Sequence, residues 1–157
     1  MMLKLFGMAS IILSSVAASR TLIEQERKRV AQIDSFMAII RYIRDQIDCY
    51  SAPIGRIFAE CPRHFFDGLG GYQGEISFGQ LLERHEFTVD GEGKRILFEF
   101  SDSLGKNYRD RQIRLCDSAI VALEGYRKTK ERDLSVKKKA ITVLCLALGG
   151  ITVIALI

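Results

Sequence analysis

The carboxyl end of the sequence constrains the fold most, because a long uncharged segment follows directly after three lysines. Residues 140–157 contain no Asp, Glu, Lys or Arg, and they follow Lys137, Lys138 and Lys139. A helix of this length rises about 27 Å, which is close to the hydrocarbon thickness of a bilayer. Its apolar residues occupy every face, whereas a helix buried in a soluble core usually keeps one polar face. Residues 140–157 are therefore predicted to form a transmembrane helix.

A second uncharged segment lies near the amino end, where residues 5–19 follow Lys4. One interpretation is a signal peptide cleaved after Val16-Ala17-Ala18, and the other is an uncleaved transmembrane helix of residues 1–19. Positive residues follow the segment closely, and such flanks tend to stay in the cytoplasm. These residues are Arg20, Arg27, Lys28 and Arg29. We therefore favour the uncleaved anchor.

Basic residues thus flank both predicted spans on the inner side, which predicts a two-pass membrane protein with a cytoplasmic central domain. That domain, residues 20–139, is long enough for one modest hydrophobic core. It holds 22 of the 23 basic residues and all 19 acidic ones, so its net charge is +3. A mild excess of positive charge beside a membrane suits anionic lipid headgroups better than nucleic acid. Membrane lipids are therefore an expected partner, and nucleic acid is not.

The central domain is predicted to be an all-α helical bundle, because its apolar residues recur at spacings of three and four and no convincing strand pair is present. One long helix is expected from the membrane to about Cys49, and the last helix is expected to continue into the second span. Residues 65–74, "FFDGLGGYQG", are predicted to be a turn-rich connection. The other predicted helix boundaries lie near Pro53, Pro62, Ser77, Asp90, Gly105 and Asp110.

The sequence contains no strong active-site motif, and no cofactor or metal is predicted. The glycines of "GLGGYQG" do not match the dinucleotide fingerprint, because Gln73 stands where its third glycine belongs. The two histidines do not belong to a set of ligands spaced for zinc. Acid pairs such as Glu99 and Asp102 are typical of solvated helix faces, but they leave open a membrane-tethered enzyme. A secreted helical protein also stays open if residues 1–19 are cleaved.

Small residues recur at a spacing of four in both predicted spans, which favours close approach of helices within a membrane. They are Ser10, Ser14 and Ala18 in the first span, and Cys145 and Gly149 in the second. The spans are expected to pack against each other or against partner helices, and a homo-oligomer is compatible with the same pattern.

Several short motifs occur in order along nearly the whole chain: "LKLFG", "SAPIGRIF", "SFGQLL", "FTVDGEGKRILFEF" and "SLGKNYRDRQI", followed by a basic stretch and the last apolar segment. This order resembles that of the stage III sporulation protein AB family of endospore-forming bacteria. The resemblance includes the spacing of Leu104, Gly105 and Gln112. The chain departs from the family pattern at Tyr108, where an acidic residue is common, and at Cys145, where a glycine is common.

The resemblance implies a noncatalytic function, because the family is similar to the inner-membrane platform proteins of type II secretion and type IV pilus systems. The expected location is the cell membrane, with the central domain on the mother-cell side of a channel between mother cell and forespore. A secretion-type ATPase, stage III sporulation protein AA, is the expected cytoplasmic partner, together with other membrane proteins of the channel. The turn with Leu104, Gly105 and Gln112 is expected to contact a partner.

Overall fold

The part of the chain that the structure describes is entirely helical apart from its turns. The computed structural model describes the backbone of residues 2–50, 53–72, 74, 77–85 and 88–154, and the side chains of residues 20–21, 23–50, 53–72, 74, 77–85, 88–140 and 143. The helices are α1 (Met2–Tyr50), α2 (Ile54–Ala59), a 3₁₀ helix (Arg63–Leu69), α3 (Phe78–Arg84), α4 (Gly91–Ser103) and α5 (Arg109–Ile154). The predicted all-α fold is confirmed.

The chain divides into two compact units. The terminal unit consists of Met1–Arg27 and Lys130–Ile157, so it contains the first part of α1 and the last part of α5. The bundle unit consists of Lys28–Thr129 and contains all the other helices. The predicted domain limits at residues 20 and 139 stay predictions.

The core of the bundle unit is built around one phenylalanine of α3. The ring centre of Phe78 lies 6.1 Å from that of Phe36, 6.3 Å from that of Phe58 and 4.9 Å from that of Phe100. All four rings are almost completely buried. They come from α1, α2, α3 and α4, so one aromatic cluster joins four helices. The predicted apolar stripe of α1 faces this core through Ile33, Phe36, Met37, Ile40, Ile43 and Ile47.

Within the bundle unit, α1 and α5 are antiparallel and are joined by a row of ion pairs. As the residue numbers rise along α1, those of the partners fall along α5. The pairs are Asp34 with Arg127 at 2.9 Å, Arg41 with Glu124 at 2.7 Å, Arg44 with Asp117 at 2.6 Å and Asp48 with Arg109 at 2.7 Å. Exposed pairs of this kind stabilise a fold only weakly, but they fix which residues of two helices lie opposite each other.

The structure differs from the turn-rich connection predicted for residues 65–74, because residues 65–69 belong to the 3₁₀ helix. The reason is a close approach to α1: a Cβ on Gly68 would lie 2.5 Å from Ser35 Oγ and 2.6 Å from the carbonyl oxygen of Ala31. The absence of a side chain lets the segment pack there and bury Leu69. The predicted turn follows at Gly70, which has φ 93°.

Two predicted helix boundaries are confirmed in detail. The Ser77 hydroxyl accepts a hydrogen bond from the Gln80 backbone amide at 3.2 Å and thereby caps α3. Gly105 has φ 82°, the left-handed conformation expected after the end of α4.

Candidate functional site

The positive residues predicted to lie beside the membrane are at least partly accessible to solvent. Arg20, Arg27, Lys28, Lys137 and Lys139 are exposed, and Arg29 and Lys138 are half-buried. In the terminal unit, Lys137 Nζ donates a hydrogen bond to Glu26 Oε1 at 2.9 Å, and the Glu26 side chain is only 12% exposed. Glu26 has no local sequence signal for this contact, because its partner lies 111 residues away in the chain.

The membrane spans themselves stay predictions. Most side chains of residues 1–19 and 140–157 lie outside the described part of the structure. Within the part of the chain whose side chains the structure describes, no helix has a stretch both long and apolar enough to cross a membrane.

The structure brings together the three residues predicted to form a partner contact, in the turn between α4 and α5. Gln112, which is 4% exposed, donates two hydrogen bonds through Nε2 to the carbonyl oxygens of Ser103 and Asn107, both at 3.4 Å. Gly105 lies between these two carbonyls in the chain, and Leu104 packs against the core. Gln112 therefore holds the turn from inside the first helical turns of α5.

The carbonyl oxygen of the Gln112 side chain is buried and accepts no hydrogen bond from any described residue. The carbonyl oxygens of Ser103 and Asn107 face the other end of the same amide. If the oxygen and nitrogen of the amide were exchanged, the amide oxygen would face these two carbonyl oxygens, and none of the three can donate a hydrogen bond. The orientation of the amide is therefore set by the turn. Buried polar groups are normally satisfied, so an unpaired acceptor in a native fold points to strain or to a missing partner.

Arg109 connects this turn to the end of α1. Its guanidinium donates to the carbonyl oxygens of Ile47 at 3.3 Å and Asp48 at 2.6 Å, and also to Asp48 Oδ1 at 2.7 Å. The last carbonyls of a helix lack partners within the helix, and a cation there also matches the negative end of the helix dipole. Arg109 lies within the motif "SLGKNYRDRQI" but was not predicted as a site residue.

A cavity of about 400 Å³ opens beside this turn in the bundle unit. One wall is apolar and comes from the end of α1 and the start of α2, while the other is polar and comes from the turn and α5. The lining residues are Ile47, Pro53, Ile54, Gly105, Asn107, Arg109 and Gln112. Two tyrosines near lining residues in the chain are exposed: Tyr108, which stands between Asn107 and Arg109, is 92% exposed, and Tyr50, three residues after Ile47, is 73% exposed.

The acidic residues considered for catalysis lie on an exposed face of α4. Glu99 forms an ion pair with Arg95 at 3.1 Å, one helical turn away, and Asp102 is exposed. Glu99 Oε1 is thus engaged in a pair that is common on solvated helices. Glu83 and Glu86 form a second acid pair with the same spacing in the sequence; Glu83 is exposed and Glu86 lies outside the described residues.

Cys61 and Cys116 are buried, and their surroundings make both thiols unreactive. Burial raises the pKa of the Cys61 thiol and of the Cys116 thiol to about 12 in each case. Both thiols therefore stay protonated at neutral pH, and a protonated thiol is a poor nucleophile. Cys49 is exposed.

A comparison with protein families gives a match that covers nearly the whole chain. The model of a family described as stage III sporulation protein AB matches residues 4–157. No curated protein and no solved structure matches the chain. The family match confirms the resemblance carried by the sequence motifs.

Proposed function

Because the chain belongs to the stage III sporulation protein AB family, we propose that it is a noncatalytic platform of a membrane channel between mother cell and forespore. In this proposal residues 1–19 and 140–157 cross the membrane, and residues 20–139 face the mother-cell cytoplasm. The central domain docks a secretion-type ATPase, and the spans contact other membrane proteins of the channel.

The observation that carries this proposal is the path of the two longest helices. α1 runs unbroken from Met2 to Tyr50, and α5 runs unbroken from Arg109 to Ile154. Each helix therefore contains most of a predicted span and a segment of the bundle unit. The helix ends that contain the spans also belong to one compact unit, as expected of two segments that cross the same membrane side by side.

Docking of a cytoplasmic partner is supported by the surface of the bundle unit. Tyr50 and Tyr108 are large side chains that stay exposed in the isolated chain. Tyrosines are enriched among the residues that dominate binding at protein interfaces. In the chain Tyr108 stands between Asn107 and Arg109, which line the cavity beside Gln112, and this cavity offers both apolar and polar contacts to a partner.

The test is the recovery of the ATPase, stage III sporulation protein AA, with membranes of sporulating cells. One strain produces the full chain, and the other produces a variant in which a flexible linker replaces residues 28–129. We expect much less ATPase in the membrane fraction of the second strain, provided that equal amounts of both variants reach the membrane. Equal recovery of the ATPase in the two strains would count against docking by the bundle unit.

A further inference from the structure

We propose that the cavity beside Gln112 binds a peptide segment of the partner, and that a donor of this segment hydrogen-bonds to Gln112 Oε1. The inference rests on the proposed function, because the partner is taken to be the docked ATPase. It specifies which surface of the bundle unit is contacted and by what chemistry.

The unpaired oxygen of Gln112 is the first argument. Gln112 is 4% exposed and lines the cavity, yet its Oε1 has no donor among the described residues. A buried acceptor without a donor is unfavourable, and a partner that supplies the donor removes that penalty on binding. The same oxygen would reject an apolar group placed against it, so it also provides specificity.

The two walls of the cavity favour a peptide as the occupant. Ile47 and Ile54 offer an apolar surface, while Asn107 and Gln112 offer hydrogen-bonding groups. An extended peptide presents both chemistries at once, since each backbone N–H lies next to a side chain. The strongly exposed ring of Tyr108, next in the chain to Asn107, supplies further contact area.

Access to Oε1 requires a small local movement, because Oε1 is covered in the unbound chain. The two hydrogen bonds from Gln112 Nε2 to the turn are both 3.4 Å long, beyond the usual range for N–H···O bonds. Such bonds are weak, so the Gln112 side chain can release them at a low cost and turn Oε1 towards the cavity. Binding of this kind is an induced fit confined to one side chain and the turn that it contacts.

The experiment measures binding of purified stage III sporulation protein AA to the full-length chain in detergent, in the wild type and in single variants. Asn107→Trp places bulk at the cavity, and Tyr108→Ala removes the exposed ring. Neither should disturb the fold, because both positions are exposed. Phe98→Ala and Val121→Ala are the matched controls, since they remove exposed apolar side chains that do not line the cavity.

We expect Asn107→Trp and Tyr108→Ala to weaken binding about tenfold or more, with both controls at the wild-type affinity. Gln112→Met keeps the side-chain volume but removes both the Oε1 acceptor and the Nε2 donor that contacts the turn, so it should lower the affinity about tenfold and also lower the melting temperature. Asn107→Trp and Tyr108→Ala should keep the wild-type melting temperature, which separates a loss of binding from a loss of stability.

The outcomes separate this inference from the proposed function. If the wild type binds and the three cavity variants bind equally well, the cavity is not the docking site, but docking itself stands. If the controls weaken binding as much as the cavity variants, the contact lies elsewhere and the inference also fails. If the wild-type chain does not bind the ATPase at all, the docking function is wrong and this inference is wrong with it.

Discussion

At the scale of single residues, Gly68 is a position where an added methyl group should lower the stability of the fold. A Cβ there would lie 2.5 Å from Ser35 Oγ and 2.6 Å from the Ala31 carbonyl oxygen, and that carbonyl belongs to the backbone of α1. We expect Gly68→Ala to lower the free energy of unfolding by about 1–3 kcal/mol. Gly55→Ala is the matched control: nothing lies within 4 Å of its Cβ. Chemical denaturation of both variants, followed by circular dichroism, measures the difference. Equal stability of the two variants would contradict the close packing of Gly68 on α1.

The buried thiols predict a loss of stability in alkali. Burial raises the pKa of Cys61 and of Cys116 from 9.0 to about 12. The unfolded chain therefore loses these protons at a lower pH than the folded chain does. Their contribution to stability is fully present below about pH 9 and is lost as the pH rises towards 12.

Denaturation of the full-length chain at a series of pH values above 8 tests this expectation. The double variant Cys61→Ala, Cys116→Ala should show a flatter decline than the wild type, although its stability at neutral pH is lower because two buried side chains are shortened. Cys49→Ala is the control, since Cys49 is exposed. A decline of the same steepness in the double variant would mean that other groups cause it.

At the scale of elements, α4 offers a direct comparison between a buried and an exposed ring on one helix. Phe100 is 1% exposed and lies 4.9 Å from Phe78, whereas Phe98 is 47% exposed. Phe100→Ala should cost about 3–5 kcal/mol because it leaves a cavity in the aromatic cluster. Phe98→Ala should change stability by no more than about 0.5 kcal/mol. Thermal unfolding of the two variants provides the measurement, and similar melting temperatures would contradict the placement of α4.

The helices were predictable where local chemistry determines them. The apolar stripe of α1, the serine cap of α3 and the left-handed Gly105 all depend on residues close together in the chain. The 3₁₀ helix at Arg63–Leu69 was not predictable, because it depends on a contact between Gly68 and α1. Asp90 was expected near the start of α4, and there its carboxylate accepts a hydrogen bond from the Tyr126 hydroxyl at 2.6 Å. That partner lies on α5 and has no local sequence signal.

The candidate site was predictable only in part, for the same reason. Leu104, Gly105 and Gln112 were named from the spacing of a family motif, and the structure brings them to one turn. The apolar wall of the cavity comes from Ile47, Pro53 and Ile54, which precede that motif by some fifty residues. Only the antiparallel pairing of α1 and α5 in the bundle unit places the two segments together. The unpaired oxygen of Gln112 is likewise a property of the packed turn and not of the motif.

At the scale of the whole molecule, the exposed thiol of Cys49 can report the orientation of the central domain. Because Cys49 is accessible in the folded chain, its failure to react with a membrane-impermeant thiol reagent in intact cells would reflect the membrane and not burial. A variant with Cys61, Cys116 and Cys145 replaced by alanine isolates this signal. We expect no labelling in intact cells and full labelling after permeabilisation, as the positive flanks predict. Labelling in intact cells would place the domain outside the cytoplasm.

Removal of the apolar ends tests whether both of them anchor the chain. Ten Ile, Leu and Val residues between 140 and 157 each favour insertion by about 0.3–0.6 kcal/mol, and no charge opposes them. A chain that lacks only residues 140–157, or only residues 1–19, should still sediment with membranes after an alkaline carbonate wash, because one span remains. A chain of residues 20–139 alone should stay in the supernatant, since its net charge of +3 gives only salt-sensitive attraction to anionic lipid. Release of the full-length chain by the wash would refute both spans, and release after a single truncation would identify the removed segment as the only anchor.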